Sequence, residues 1–334
     1  MKKEVKKILG IIGLIELCIF LFQNVGVAIA KDPDYPTKPI NFNIAFSAGG
    51  PTDLPTRALL EAASKHLGQP FIPINKPGAG GTLAIMSVVT AKPDGYTLGT
   101  ISAPNAFVAP YSEDCPYKDL NGLTMIMNFG KYVLPVSVKY DAPWKTWKEF
   151  VEWARRNPKA GKIGTVGAKT VTIFGLVLGQ MEKKEQVEFT YVPFKGGAEA
   201  LSATLGGHVS FYASSITSLD YLTEKKLRIL TYVTEEKLPG YENIPSTKEL
   251  YGISAPGLLG VCSPKGLPEY VLRKLDDAFS KAANDPSFLS VMNRVLTPVV
   301  YMNRSEMKNY VEKNFLEIGE IIKMLRAEEA KEKK

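Results

Sequence analysis

Histidine and cysteine are scarce in this 334-residue chain, with two of the first and three of the second. That scarcity excludes a good deal of chemistry. There is no H-E-x-x-H and no C-x-x-C, so the usual metal-ligand spacings are missing and no metal is expected. No G-x-S-x-G elbow presents a serine nucleophile, and neither G-x-G-x-x-G nor G-x-x-x-x-G-K-[ST] offers a nucleotide cradle, so no cofactor is expected. His66 falls on the apolar side of a helical pattern and reads as a packed structural histidine; His208, in "GGHVS", reads as a rim residue. Blocks of one charge are also missing. The C-terminal "RAEEAKEKK" balances itself, and Lys and Arg form no aromatic-interleaved stripe, so nucleic acid is not an expected partner.

Long apolar runs are confined to the start. "MKKEVKK" is a basic leader, the stretch from Ile8 to Phe22 is apolar, and Ala28 and Ala30 supply the A-x-A spacing of a signal-peptidase site. The run is short for a spanning helix and contains Glu16, which is costly at a bilayer centre. Residues 1–30 therefore read as a cleaved signal peptide, and the protein as periplasmic or extracytoplasmic. Cys18 follows Leu17 rather than a small residue, which argues against a lipoprotein signal. Export permits a disulfide between the remaining Cys115 and Cys262; two unpaired small apolar residues is the simpler alternative. Losing the leader's four lysines and two glutamates lowers the formal charge from +7 to +5, a mild excess that suits small anionic ligands.

The remaining chain alternates short apolar strands with helical stretches. "INFNIAF" reads as a strand and "TDLPTRALLEAASKHLG" as a helix, with Leu54, Ala58, Ala62 and His66 on one face and Gly68 as its stop. "FIPIN", "TLAIMSVVTAK" and "PDGYTLGTIS" repeat the scheme, which restarts near residue 129. In the C-terminal helical text, Leu272, Leu275 and Phe279 recur at helical spacing. Such alternation with short connections predicts an α/β protein with mostly parallel, doubly wound sheets. The expected domains are a first lobe over 31–128, a second over 129–254, and a segment over 255–334 that returns to the first.

Glycine turns recur at "SAGG" (47–50), "PGAGG" (77–81), "GTVG" (164–167) and "KGG" (195–197), most of them ahead of a predicted helix. A helix start exposes unpaired N–H groups, and its dipole favours negative charge there. Glycine lets the backbone approach a ligand closely. Ser47, Thr52, Ser102, Asn105, Thr165 and Thr170 add hydroxyl and amide donors, though capping and turn chemistry is an equal use for such residues. Asp53 is expected to brace the first helix or to receive an ammonium group; Lys195 is a candidate to neutralise a carboxylate, with simple solvation the commoner fate of a lone turn lysine.

Taken in order, "YPTKPINFNIAFSAGGPTDLPTR", "LGQPFIPINKPGAGGTLA", "AKPDGYTLGT", "VPFKGGAEALSATLGGHVSF" and "LPGYENIPSTKEL" resemble the extracytoplasmic substrate-binding receptors of tripartite tricarboxylate transporters, the Bug receptor family. The resemblance covers nearly all of the chain from Tyr35. It implies a two-lobed type II periplasmic-binding-protein fold, each lobe a mostly parallel sheet flanked by helices. It also implies a non-enzymatic receptor that traps a small carboxylate, an organic or amino acid, between its lobes. The acid would pass to a membrane permease of one large and one small subunit. The family's ligand-contacting turns fall on Ser47, Ala48, Gly49, Gly50, Thr52 and Asp53, on Gly78 to Gly81 (with Gly80 and Gly81 the expected site residues), and on Lys195, Gly196 and Gly197. Gly167 and Phe194 complete the expected set. The chain departs from the family's pattern at Lys169 and Thr170, where serines are usual, at Phe194 in place of tyrosine, and at Ser210 in place of an acid. Two rival roles stand beside this one, a ligand sensor for a two-component membrane protein and an exported enzyme acting on an organic acid.

Overall fold

Strand β1 (Ile40–Ile44) sends Ile40, Phe42 and Ile44 fully into the core while Asn41 faces solvent. The computed structural model that shows this describes residues 33–111, 115, 117–166, 169 and 172–332, and the compact unit that it contains is Tyr35–Lys334. The proposed signal peptide and two expected site residues, Gly167 and Thr170, lie outside the described residues. After β1 come α1 (Asp53–Leu67), β2 (Phe71–Asn75), α2 (Thr82–Val89), β3 (Thr97–Ser102) and β4 (Leu123–Gly130). The chain then crosses to β5 (Pro135–Lys139), α3 (Trp147–Arg156), β6 (Lys162–Val166), α4 (Ile173–Glu185), β7 (Thr190–Phe194), α5 (Gly197–Leu205), β8 (Phe211–Ala213), α6 (Asp220–Thr223), β9 (Leu227–Tyr232) and α7 (Thr247–Tyr251). It crosses back to β10 (Leu259–Pro264), α8 (Glu269–Ala282), α9 (Pro286–Arg294) and α10 (Arg304–Glu332).

Two five-stranded sheets result, ordered β2-β1-β3-β10-β4 and β7-β6-β8-β5-β9. Each has one strand running against the others: β10 is antiparallel to β3 and β4, and β5 is antiparallel to β8 and β9. Each of those two strands immediately follows a crossing from the other sheet. The crossings run side by side, with Val233 N–H donating to Leu134 O at 2.9 Å and Leu134 N–H to Thr234 Oγ1 at 3.1 Å. Beside them, Lys131 Nζ pairs with Glu236 at 2.9 Å. The fold is two-lobed, with a mostly parallel sheet and flanking helices in each lobe.

Both sheets are covered by aromatic packing. Phe71 of β2 meets Phe279 of α8 at 5.5 Å, and in the second lobe Phe150 of α3 meets Phe211 of β8 edge-on at 4.0 Å. Burying one such side chain stabilises the fold by roughly 1.5–3 kcal/mol. Two sequence expectations change here, and one open alternative is decided. In α1 the buried face is centred on Leu59, Ala62, Ala63 and Leu67, and His66 is exposed in the last turn. "GTVG" is not a turn: Gly164, Thr165 and Val166 belong to β6, and a side chain at 164 would press on Val209 and Phe194. Cys115 and Cys262 are both free and buried, so the disulfide alternative is not realised.

Candidate functional site

In open α/β sheets the carboxyl ends of the parallel strands leave a crevice, because the chain turns there from strand to helix. Here the two sheets direct those ends at each other. A cavity of about 60 Å³ lies between them. Phe46 and Pro51 reach it from beyond β1, Pro104 from beyond β3, Val166 from the end of β6, and Ser214 from beyond β8. Tyr132 and Leu134, from the first crossing, form its back.

Three helices begin at this cavity. Thr52 precedes α1, Thr172 precedes α4, and Gly197 opens α5; all three line it. At α4 the Thr172 hydroxyl takes the Gly175 N–H at 2.9 Å, an ordinary side-chain cap. The starts of α1 and α5 have no side-chain cap. Thr52 Oγ1 is instead 2.7 Å from Tyr132 OH. Burial pushes the Tyr132 phenol well up from its ordinary value, partly offset by the Thr52 and Ser102 hydroxyls beside it, so it stays neutral. The Tyr212 phenol is raised in the same way and donates to Ser215 O at 2.7 Å. Each uncapped helix end favours an anion by about 0.3–1 kcal/mol, up to about 2 when partly buried.

The first-lobe turn and the lysine–glycine turn touch. Ser47 Oγ donates to Glu199 Oε1 across the seam at 3.2 Å. Close approach requires glycine here: a Cβ on Gly196 would lie 2.7 Å from Ser47 Cβ, and one on Gly197 3.0 Å from Pro51 Cδ. Gly50 is buried at the same seam, 3.9 Å from the Gly197 nitrogen by the same measure.

Of the expected site residues, Thr52 and Gly197 therefore line the cavity, and Ser47, Gly50 and Gly196 form the seam beside it. The others stand further off. Ala48 and Gly49 are exposed, and Gly49 N–H donates to Asp53 Oδ2 at 2.9 Å. Asp53 is 2% exposed and spent on Arg57 and Asn75 as well, so it braces the turn. Gly80 and Gly81 take positive φ values of 63° and 92° behind Phe46, and a Cβ on Gly81 would crowd Asn105 Nδ2 at 2.9 Å. Asn105 Nδ2 is buried with no partner, while its Oδ1 accepts the Ser102 N–H at 2.8 Å. Thr165 is buried within β6. Phe194 packs on Gly164 and against the second-lobe core. Lys195 is exposed and donates its N–H to Glu199 Oε2 at 3.0 Å. Lys169, the unusual residue of the second-lobe loop, turns to Glu182 at 2.7 Å with its ammonium 4.7 Å from the centre of the Tyr191 ring.

Sequence reasoning missed most of the apolar wall. Phe46 and Pro51 directly flank the first glycine turn, and the strand-end rule would have drawn attention to Val166 and Ser214. Tyr132 and Leu134 carry no local signal, because only the crossing brings them to the cleft.

Known proteins give the same outline. A family model described as "Tripartite tricarboxylate transporter family receptor" matches residues 56–326. A Cupriavidus necator protein described as a UPF0065 protein in the gbd 5′ region is 35% identical over 280 residues, covering 84% of this chain and 85% of its own. The structure of the periplasmic binding protein BugD superposes with a TM-score of 0.80 at 25% identity, over 87% of this chain and 98% of that one. MatC from Rhodopseudomonas palustris with bound malate shares the fold, with a TM-score of 0.77 at 24% identity over 86% of this chain and 100% of its own.

Proposed function

Since the chain belongs to the family of tripartite tricarboxylate transporter receptors, we propose that it is an extracytoplasmic solute receptor. It binds a small carboxylate between lobes 31–128 plus 255–334 and 129–254, and delivers it to a two-subunit membrane permease. Residues 1–30 direct export and are removed. The protein works without catalysis. The reading is carried by one observation: uncapped starts of helices from both lobes meet at one cavity, at the carboxyl ends of both sheets. Backbone N–H groups and two dipoles there offer an anion what a cationic side chain would otherwise supply. Binding of an acid at this point bridges the lobes, so the ligand itself favours their closed arrangement about the paired crossings.

Thermal unfolding of ligand-stripped protein against a panel of organic and amino acids tests the reading. A ligand at a hundred times its Kd stabilises the fold by about 2.7 kcal/mol, a rise of several degrees. If no carboxylate of any kind raises the unfolding temperature, the receptor reading fails.

A further inference from the structure

The starts of α1 and α5 come from different lobes, yet one short stretch of chain holds both. We infer, on the receptor reading above, that Tyr132 and Ser215 are positioning residues for the ligand: they fasten the two helix starts to neighbouring residues of the first crossing, so that the hinge assembles the anion site.

On the first-lobe side, Tyr132 OH and Thr52 Oγ1 lie 2.7 Å apart, and both residues are buried. Thr52 stands where a capping residue would, but its hydroxyl bonds to the crossing and not to the helix. The next residue, Val133, serves the other lobe. Its carbonyl accepts the Ser215 hydroxyl at 2.9 Å, and Ser215 O accepts the Tyr212 phenol at 2.7 Å. Helix α5 begins against this pair of loops: a Cβ on Gly197 would lie 3.2 Å from Tyr212 OH and 3.0 Å from Ser214 Oγ. Val133 also packs in one apolar cluster with Ala200 and Leu201 of α5. Contacts therefore run from the start of α1, through Tyr132 and Val133, to the start of α5, without needing a ligand to complete them.

The anchor is itself tied down. Leu134 bonds to Val233 and Thr234, and Ala255 N–H donates to Val233 O at 2.8 Å, which joins the return crossing to the same place. The attraction of a helix end for an anion fades within its first turn. Two ends act fully on one carboxylate only when their spacing is set beforehand. Buried hydroxyl bonds set it here, and a site held ready binds more tightly than one that the ligand must draw together.

Calorimetric titration of the ligand-stripped native protein, Tyr132→Phe, Ser215→Ala and the double variant tests the assignment. The probes are succinate, L-malate, adipate, L-glutamate and any further acid that the thermal panel singles out. Each single variant is expected to weaken every acid that the native protein binds by at least about threefold, and by a similar factor for all of them, as for one lost hydrogen bond. The double variant should lose no more than about twice the larger single loss, because either deletion already loosens the same assembly. Tyr35→Phe removes a comparable buried phenol bond, to Gly95 O at 2.8 Å, from a residue outside the cavity lining, and should bind as the native protein does. Smaller single losses, losses that multiply in the double variant, or an equal loss in Tyr35→Phe overturn the inference and leave the receptor reading standing. A loss confined to some acids also overturns it, since the two residues would then touch the ligand instead of placing the helices. Should Tyr132→Phe fail to fold, Ser215→Ala set against Tyr35→Phe decides. If no acid binds the native protein, the receptor reading falls and this inference falls with it.

Discussion

The turn that opens α1 and the turn that opens α5 are built on one plan and used differently. In each, an acid in the first turn of the helix reaches back four residues to a backbone N–H: Asp53 to Gly49 at 2.9 Å, Glu199 to Lys195 at 3.0 Å. Asp53 is buried and bonded on every side within its own lobe, by Arg57 Nε and Asn75 Nδ2 as well. Glu199 is exposed, and its second oxygen reaches into the other lobe to Ser47. The acid of the first turn is thus held wholly within its own lobe, while that of the second is shared with the other lobe. A receptor that closes needs both, bonds that keep a turn in shape and bonds that join it to the other lobe.

Five substitutions test that contrast, beginning with the most damaging. Asp53→Ala leaves Gly49 N–H, Asn75 Nδ2 and Arg57 without their shared acceptor, and should destabilise the protein by about 3 kcal/mol in urea unfolding, judged from hydrogen bonds to charged groups. Glu199→Ala should leave the unliganded midpoint close to that of the native protein, and equal losses in the two variants would abolish the distinction. Gly196→Val places side-chain atoms where Ser47 now packs, so ligand affinity should fall tenfold or more, about 1.4 kcal/mol, with the unliganded fold intact. Native affinity in that variant would show that the seam does not close on ligand. Tyr132→Phe removes the 2.7 Å partner of Thr52 and should cost about 1 kcal/mol of stability, read as a shift in denaturation midpoint. Ser47→Ala deletes the bond across the seam; a loss of affinity of about threefold is expected, as for one neutral-to-charged contact half exposed to water. A larger loss would mean that Ser47 touches the ligand directly.

How much of this was visible in the chain depends on distance along it. The alternation of apolar strands and helices was plain, since the periodicities of two and 3.6 are local properties. The glycine turns at 47–50 and 195–197 were also legible, because close approach leaves a compositional trace. Their meeting was not: Ser47 and Glu199 are a pair only because both sheets point their strand ends into one crevice. Gly164 misled for a related reason, since a glycine that makes room for Phe194 and Val209 inside a strand looks in sequence like one that makes a turn. His66 misled because helical spacing fixes a face but not where the core beneath it ends. Tyr132 gave no warning at all, being placed by a crossing whose course depends on the whole fold.

The strand β10 has a consequence for how the protein comes to exist. Within the first sheet it lies between β3 and β4 and pairs with both, yet the whole of the second sheet separates it from them in the chain. Strands β5 to β9 form a contiguous stretch whose sheet needs nothing from outside. As the polypeptide emerges, β3 and β4 must wait with a vacant slot between them until the last quarter of the chain arrives. Pairings so far apart in sequence are slow to form and leave strand edges open meanwhile. The second lobe is therefore expected to mature first and the first lobe last, so that completion of the older end of the chain signals that the entire receptor has been made.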